Sequence, residues 1–172
     1  MDGALVERAR KGDADAFDEL ARQRIDSVYR TALGILGSPA DARDATQEAL
    51  ISAWKSIESL RDVERFNAWL YRITLNSARM VARKRRGIRE IQLTTDDPSA
   101  SRVDAVAVGQ PDFDRAFEKL TVDQRAILLD HHLDGLSVAQ VAQRLRIAEG
   151  TVKSRLYAAR QALDRALREL DR

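Results

Sequence analysis

The chain has 172 residues, 29 basic against 27 acidic, with charged residues at 33% and aromatics at only 5%. That mix, rich in Ala, Leu and Arg, favours helices over strands in one domain or two small ones. The absence of cysteine and of any apolar run long enough to cross a bilayer excludes a disulfide framework, thiolate metal sites and a membrane span.

The opening stretch, MDGALVERARKGD, lacks the apolar centre of a signal peptide. A cytoplasmic protein with no membrane contact of its own is expected. Asp13 is placed to cap a first helix that carries Ala16, Phe17, Leu20 and Ala21 and continues through Ile25, Val28, Tyr29, Ala32 and Leu33. Gly37 ends it, and Ser38-Pro39 fits an N-cap followed by proline at the first helical position. The next helix, over residues 40–57, has an apolar face at Ala42, Ala45, Ala49, Leu50, Ala53 and Trp54. Its opposite face presents Asp41, Asp44, Gln47 and Glu48. A break over 56–62 leads into a helix over 63–84, where Phe66, Leu70, Ile73 and Ser77 share a face beside Trp69 and Leu75. The adjacent aromatics Phe66 and Trp69 read as core.

The net charge of +2 hides a segregation. Residues 65–89 contain eight bases, Arg65, Arg72, Arg79, Arg83, Lys84, Arg85, Arg86 and Arg89, and no acid. Such a cluster, not the net charge, sets the field that a polyanion feels. Residues 91–112 then break the helical pattern with Pro98, Gly109, Pro111 and several Ser and Thr, and carry mostly acids. They read as an acidic, flexible linker. The organisation expected is therefore all-α: a domain over 1–90 with about four helices, a linker over 91–112, and a second domain over 113–172.

In the second domain a short helix over 113–120 precedes one over 121–132, where Thr121 and Gln124 form a capping box and Ile127, Leu128 and Leu133 are core candidates. Ser137 with Gln140 is a second capping box, opening a helix whose Val138, Val141, Ala142 and Leu145 share one face. A short turn, 146–148, leads into another helix near Gly150-Thr151. There Val152, Leu156, Ala159 and Leu163 form a buried stripe, opposite Lys153, Ser154, Tyr157, Arg160 and Gln161. This is a helix-turn-helix, and those outward side chains are the types that reach phosphates and base edges in a major groove. His131-His132 with Asp130 and Asp134 could suggest a metal, but adjacent histidines diverge on a helix and the spacing supplies no third ligand. No metal and no cofactor are expected.

These motifs together resemble the extracytoplasmic-function sigma factors, the small class of the sigma-70 family of bacterial RNA polymerase subunits. Residues 41–54 resemble region 2.2. The run from Phe66 to Asn76, followed by Arg83 to Arg86, resembles regions 2.3 and 2.4. Residues 135–156 resemble region 4.2. Nothing resembling other sigma regions is seen before residue 10 or within the linker, and no fused regulatory domain is expected after the recognition helix.

The resemblance implies a non-catalytic transcription initiation factor. Asp41, Asp44, Gln47 and Glu48 would grip the clamp coiled coil of core RNA polymerase, with the flap as a second contact. The loop over 56–62, with Ser59 and Arg61, would capture an unstacked base of the −10 element. Arg72 and Asn76, one turn apart, would read beside it, and Arg79, Arg83, Lys84 and Arg86 would line the phosphates. Thr151, Lys153, Ser154, Arg155, Tyr157 and Arg160 would engage the −35 element, with the amides at the helix start suited to a phosphate. An anti-sigma factor is the further partner implied. Two positions depart from the pattern. Ala158 stands where many relatives carry a base, and Arg146 stands where the turn usually has glycine. If position 146 has positive φ, arginine there costs roughly 1 kcal/mol.

Two other classes compete. A stand-alone helix-turn-helix regulator binding DNA as a dimer would use only residues 113–172, leaving the 41–48 face and the 65–89 basic block unexplained. A metal-dependent nuclease would need the His/Asp cluster that the spacing does not complete.

Overall fold

The computed structural model describes residues 3–93 and 111–170, with side chains placed for 3–88 and 111–170. Among these residues helices are joined by short turns and there is no strand. The first half holds α1 (Gly3–Arg10), α2 (Ala14–Leu36), α3 (Pro39–Ser56) and α4 (Phe66–Leu93). The second holds α5 (Pro111–Glu118), α6 (Val122–Leu128), α7 (Val138–Leu145) and α8 (Glu149–Leu170). None is long and apolar enough to cross a membrane.

The helix ends follow local chemistry. Asp13 accepts the amide of Ala16 at the start of α2, and Gly37, at φ 71°, closes its end with an amide bond to the Leu33 carbonyl. Ser38 accepts from the Asp41 amide with Pro39 at the first position of α3. Both expected capping boxes form, at Thr121/Gln124 and at Ser137/Gln140.

Three apolar clusters form the core. The first joins Val6 and Ala9 of α1 to Phe17, Leu20 and Val28 of α2, Ala49 and Ala53 of α3, and Phe66 and Leu70 of α4. The third, within the second half, joins Leu120, Ile127, Leu128, Val141 and Ala142 to Val152, Leu156 and Ala159 of α8. The second crosses between the halves. Ala32, Ile35 and Leu36 of α2, Ala42 and Ala45 of α3, and Leu75 and Ala78 of α4 meet Ala126 of α6, with Val122, Leu129 and Leu145 packed alongside.

Several expectations need correction. α1 was not anticipated. Only Val6 and Ala9 of it are buried, too few to mark a period, and its docking is tertiary. α4 continues to Leu93 and α5 starts at Pro111, so both ends of the stretch expected as a linker over 91–112 are helical, and its middle, 94–110, lies outside the described residues. α6 stops at Leu128, and a wider π turn, Leu129–Leu133, follows. Its extra residue rotates the chain, so that Asp130 turns inward and Leu133, expected in the core, is 75% exposed. Trp54, placed on the buried stripe of α3, is 39% exposed and leans on Phe17 with ring centroids 5.0 Å apart. That stripe is a close alanine contact with no room for an indole.

Arg146 ends α7 in the left-handed region, at φ 55° and ψ 49°, the one described non-glycine residue with positive φ. A Cβ in that region costs about 1–2 kcal/mol. Arg146→Ala and Arg146→Gly both delete the side chain, and only the second relieves the backbone. The glycine variant should therefore be about 1 kcal/mol the more stable of the two in urea unfolding.

Candidate nucleic-acid and partner interfaces

The alanines of α3 turn its polar side outward. Asp44, Gln47 and Glu48 are exposed, and Ile51, 40% exposed, extends their row by one further turn. Asp41 differs from the other three. It is half-buried, and its Oδ2 takes a 2.6 Å ion pair from Nη1 of Arg85 on α4. The first turn of α3 is thus tied to the basic block, and the open acidic face starts at Asp44.

The loop after α3 is anchored from below. Ile57 and Leu60 are buried, whereas Ser59 and Arg61 are exposed. The Ser59 hydroxyl donates to the Ser56 carbonyl at 2.6 Å, tightening the short 3₁₀ turn Ile57–Ser59. Asp62 accepts from the Glu64 amide and from Nε of Arg65, fixing the way into α4. From α1, Arg10 donates to the Leu60 carbonyl at 3.0 Å and pairs with Glu7. The helix that sequence reasoning missed is therefore the support of the loop that it singled out.

Along α4, Phe66 is buried and Trp69 packs against it with centroids 5.9 Å apart, both in the core as expected. The polar residues of the row meet different fates. Arg83, Lys84 and Arg86 are exposed. Asn76 is exposed too, but its Oδ1 accepts from Nη1 of Arg79 at 2.6 Å. Arg79 in turn donates through Nε, at 2.8 Å, and through Nη2 to Oδ1 of Asp123 on α6. Arg72 is half-buried, and burial together with the like charge of Arg146 holds its guanidinium below the usual range.

The helix-turn-helix has the expected facing. Val152, Leu156 and Ala159 are buried, while Lys153, Ser154, Arg155, Tyr157 and Arg160 point outward, Tyr157 at 68% exposure. Ala158 shares that outward surface. Thr151 is half-buried, its carbonyl accepting from the Ser154 hydroxyl at 3.0 Å. Arg155 makes no ion pair with a neighbouring helix among the described residues. Arg160 packs on His132, Nη2 to Nε2 at 3.2 Å, so that Nε2 serves as the acceptor. His131 uses Nδ1 to donate to the Leu136 carbonyl at 2.8 Å. The two histidines are thus engaged separately, one with the recognition helix and one with the turn before α7.

One buried acid joins the two halves. Asp130 is 1% exposed, and its Oδ1 accepts from the Tyr71 hydroxyl of α4 at 2.8 Å and from Nη1 of Arg144 on α7 at 2.7 Å. Arg144 also reaches Asp134 at 3.0 Å and lies 4.5 Å from the centre of the Tyr71 ring. Burial raises the Asp130 carboxyl despite these donors, and burial beside that carboxylate drives the Tyr71 hydroxyl far above its ordinary value. Sequence reasoning missed this hub because its members are 59 and 14 residues apart.

Comparison with known proteins identifies both halves. A model of sigma-70 region 2 matches residues 20–88, and one of sigma-70 region 4 matches residues 111–163. The RNA polymerase sigma-H factor of Pseudomonas aeruginosa is 31% identical over 99% of this chain and 95% of its own length. The ECF RNA polymerase sigma factor SigM of Mycobacterium tuberculosis is 35% identical over 96% and 84%. The ECF RNA polymerase sigma-E factor of Escherichia coli is 32% identical over 99% and 96%. Among solved structures, CnrH in complex with the cytosolic domain of CnrY aligns at TM-score 0.64 and 26% identity, over 99% of both chains. The sigma factor RpoE of Bartonella quintana, in complex with the anti-sigma factor NepR, aligns at TM-score 0.60 and 26% identity, over 91% of this chain and 98% of its own.

The His132–Arg160 contact generates a pH prediction. Desolvation by its neighbours, Arg160 and His131 all disfavour the imidazolium and lower the His132 pKa below 6.5. A lowered value means that the contact is present while His132 is neutral and is lost as pH falls through its pKa. NMR titration should find His132 titrating below 6.5, and Arg160→Gln should move its midpoint back up.

Proposed function

We propose that this chain, which belongs to the sigma-70 family and to its extracytoplasmic-function class, grips promoters at two points while holding core RNA polymerase through α3. It is a transcription initiation factor that directs RNA polymerase and is controlled by an anti-sigma factor. The bond-making chemistry belongs to the polymerase. The division of labour follows the halves: 1–90 for core binding and −10 melting, 113–172 for −35 recognition, and the acidic stretch between them as the span.

One observation supports this reading above the others. Three surfaces of different chemistry lie on three separate helices, and the two halves that bear them match the two sigma regions in order. A dimeric helix-turn-helix regulator has no use for the first half. Asp44, Gln47 and Glu48 offer acceptors to a basic partner helix, with Ile51 adding apolar area. Ser59 and Arg61, on the anchored loop, suit capture of an unstacked base, and Arg72, Asn76 and Arg79 continue the track toward the phosphate-lining Arg83, Lys84 and Arg86. Lys153, Ser154, Tyr157 and Arg160 suit major-groove edges, with Thr151 and Arg155 toward the backbone. The exposed Ala158 leaves one contact fewer on that helix.

RpoE was solved with the anti-sigma factor NepR and CnrH with the cytosolic domain of CnrY, and by analogy a protein that covers the core- and DNA-binding surfaces controls this chain. Because the chain has no cysteine, thiol-based redox sensing falls to that partner.

Run-off transcription with core polymerase on genomic fragments tests the reading as a whole. Gln47→Ala combined with Glu48→Lys should abolish co-purification with core while leaving the circular dichroism spectrum unchanged. Unaltered core affinity would remove the assignment of that face. Asn76→Ala should slow promoter opening by about 1–3 kcal/mol while closed-complex affinity changes less. Equal losses in both steps would argue against base capture.

A further inference from the structure

We infer that His132, which stands outside the helix-turn-helix, is a positioning residue for the recognition helix: it turns the Arg160 guanidinium so that its two-pronged end faces the groove and reads a guanine. This inference rests on the −35 reading of α8 and adds to it a residue and a base.

The π turn Leu129–Leu133 brings His132 against α8 across 28 residues of chain. Its Nε2 lies 3.4 Å from Nε and 3.2 Å from Nη2 of Arg160. Those two nitrogens form the side edge of the guanidinium, so the imidazole occupies that edge. The end edge, made by Nη1 and the second hydrogen of Nη2, stays open. Among the described residues no atom of the protein takes Nη1 of Arg160. Two parallel N–H groups at that end match the O6 and N7 acceptors of guanine, the commonest specific arginine contact in a major groove.

The histidine ring is itself held. His131 packs edge-on against it, with centroids 4.9 Å apart at 65°, and Nδ1 of His131 bonds the Leu136 carbonyl at 2.8 Å. The orientation of Arg160 is thus set by contacts that run back to the turn before α7.

A neutral acceptor suits this task better than an acid. A carboxylate here would also fix the arginine, but it would cancel its charge and compete with the base for its hydrogens. The acid one turn further along α8, Asp164, is taken by Arg168 at 2.9 Å. The imidazole engages one edge and leaves the positive charge intact. Holding a long side chain in place before binding removes part of the ordering cost of a base contact.

The test uses holoenzyme assembled from core polymerase and the full chain. A promoter found by run-off transcription is randomised across its −35 element, and the bound duplexes are sequenced. The parent should enrich guanine at one position, and Arg160→Ala should reduce that preference about tenfold. His132→Ala should reduce the same preference about fivefold, and should have no further effect in the Arg160→Ala background. The other −35 positions and the salt dependence should not change. His132→Gln, whose Oε1 can stand where Nε2 stands, should restore the preference. His132 is exposed, and circular dichroism checks that each variant keeps its fold. Three outcomes overturn the positioning role while the −35 reading stands: His132→Ala keeps the parent's preference, it weakens every sequence equally, or His132→Gln does no better than His132→Ala. A parent that enriches no −35 sequence, or an Arg160→Ala that keeps the full preference, overturns the −35 assignment of Arg160 and the positioning role with it.

Discussion

The structure depends on an alanine seam. Ala42, Ala45, Ala49 and Ala53 are all fully buried on one side of α3, and their small side chains let that helix approach α2 and α4 closely. Close approach sets the rotation of α3, and rotation decides which residues face outward. Asp44, Gln47, Glu48 and Ile51 are the consequence. The seam also fixes α4, and α4 bears both the basic row and the bed on which α6 and α7 lie. A larger side chain anywhere on the seam would push α3 away and alter both interfaces at once, because a packed core relaxes only partially around added volume.

Against that apolar constraint the Asp130 hub works differently. Burying a carboxylate costs more than its partners usually return, and the raised Asp130 pKa is the mark of that cost. Hydrophobic side chains of similar volume could fill the same space more stably. What the hub supplies is register: the Tyr71 hydroxyl, the Asp130 carboxylate and the Arg144 guanidinium meet in one relative position of the two halves. Apolar packing of Leu129, Val122 and Leu145 on α2 and α4 would tolerate sliding. The polar contacts do not.

Local chemistry was legible in the sequence, and long-range chemistry was not. Asp13, Gly37, Ser38-Pro39 and the two capping boxes act within a few residues of themselves, so their structures could be read directly. The stripe Val152, Leu156, Ala159 was equally plain, because one helical period defines it. Trp54 was misread because periodicity reports which face a residue shares, not whether the seam has room for it. Leu133 was misread because a π turn changes the period itself. The candidate surfaces of α3 and α8 were found as faces. What lay beyond reach were their attachments: Arg85 on Asp41, His132 on Arg160, and Asp123 on Arg79 are pairings across 44, 28 and 44 residues, with no local signature.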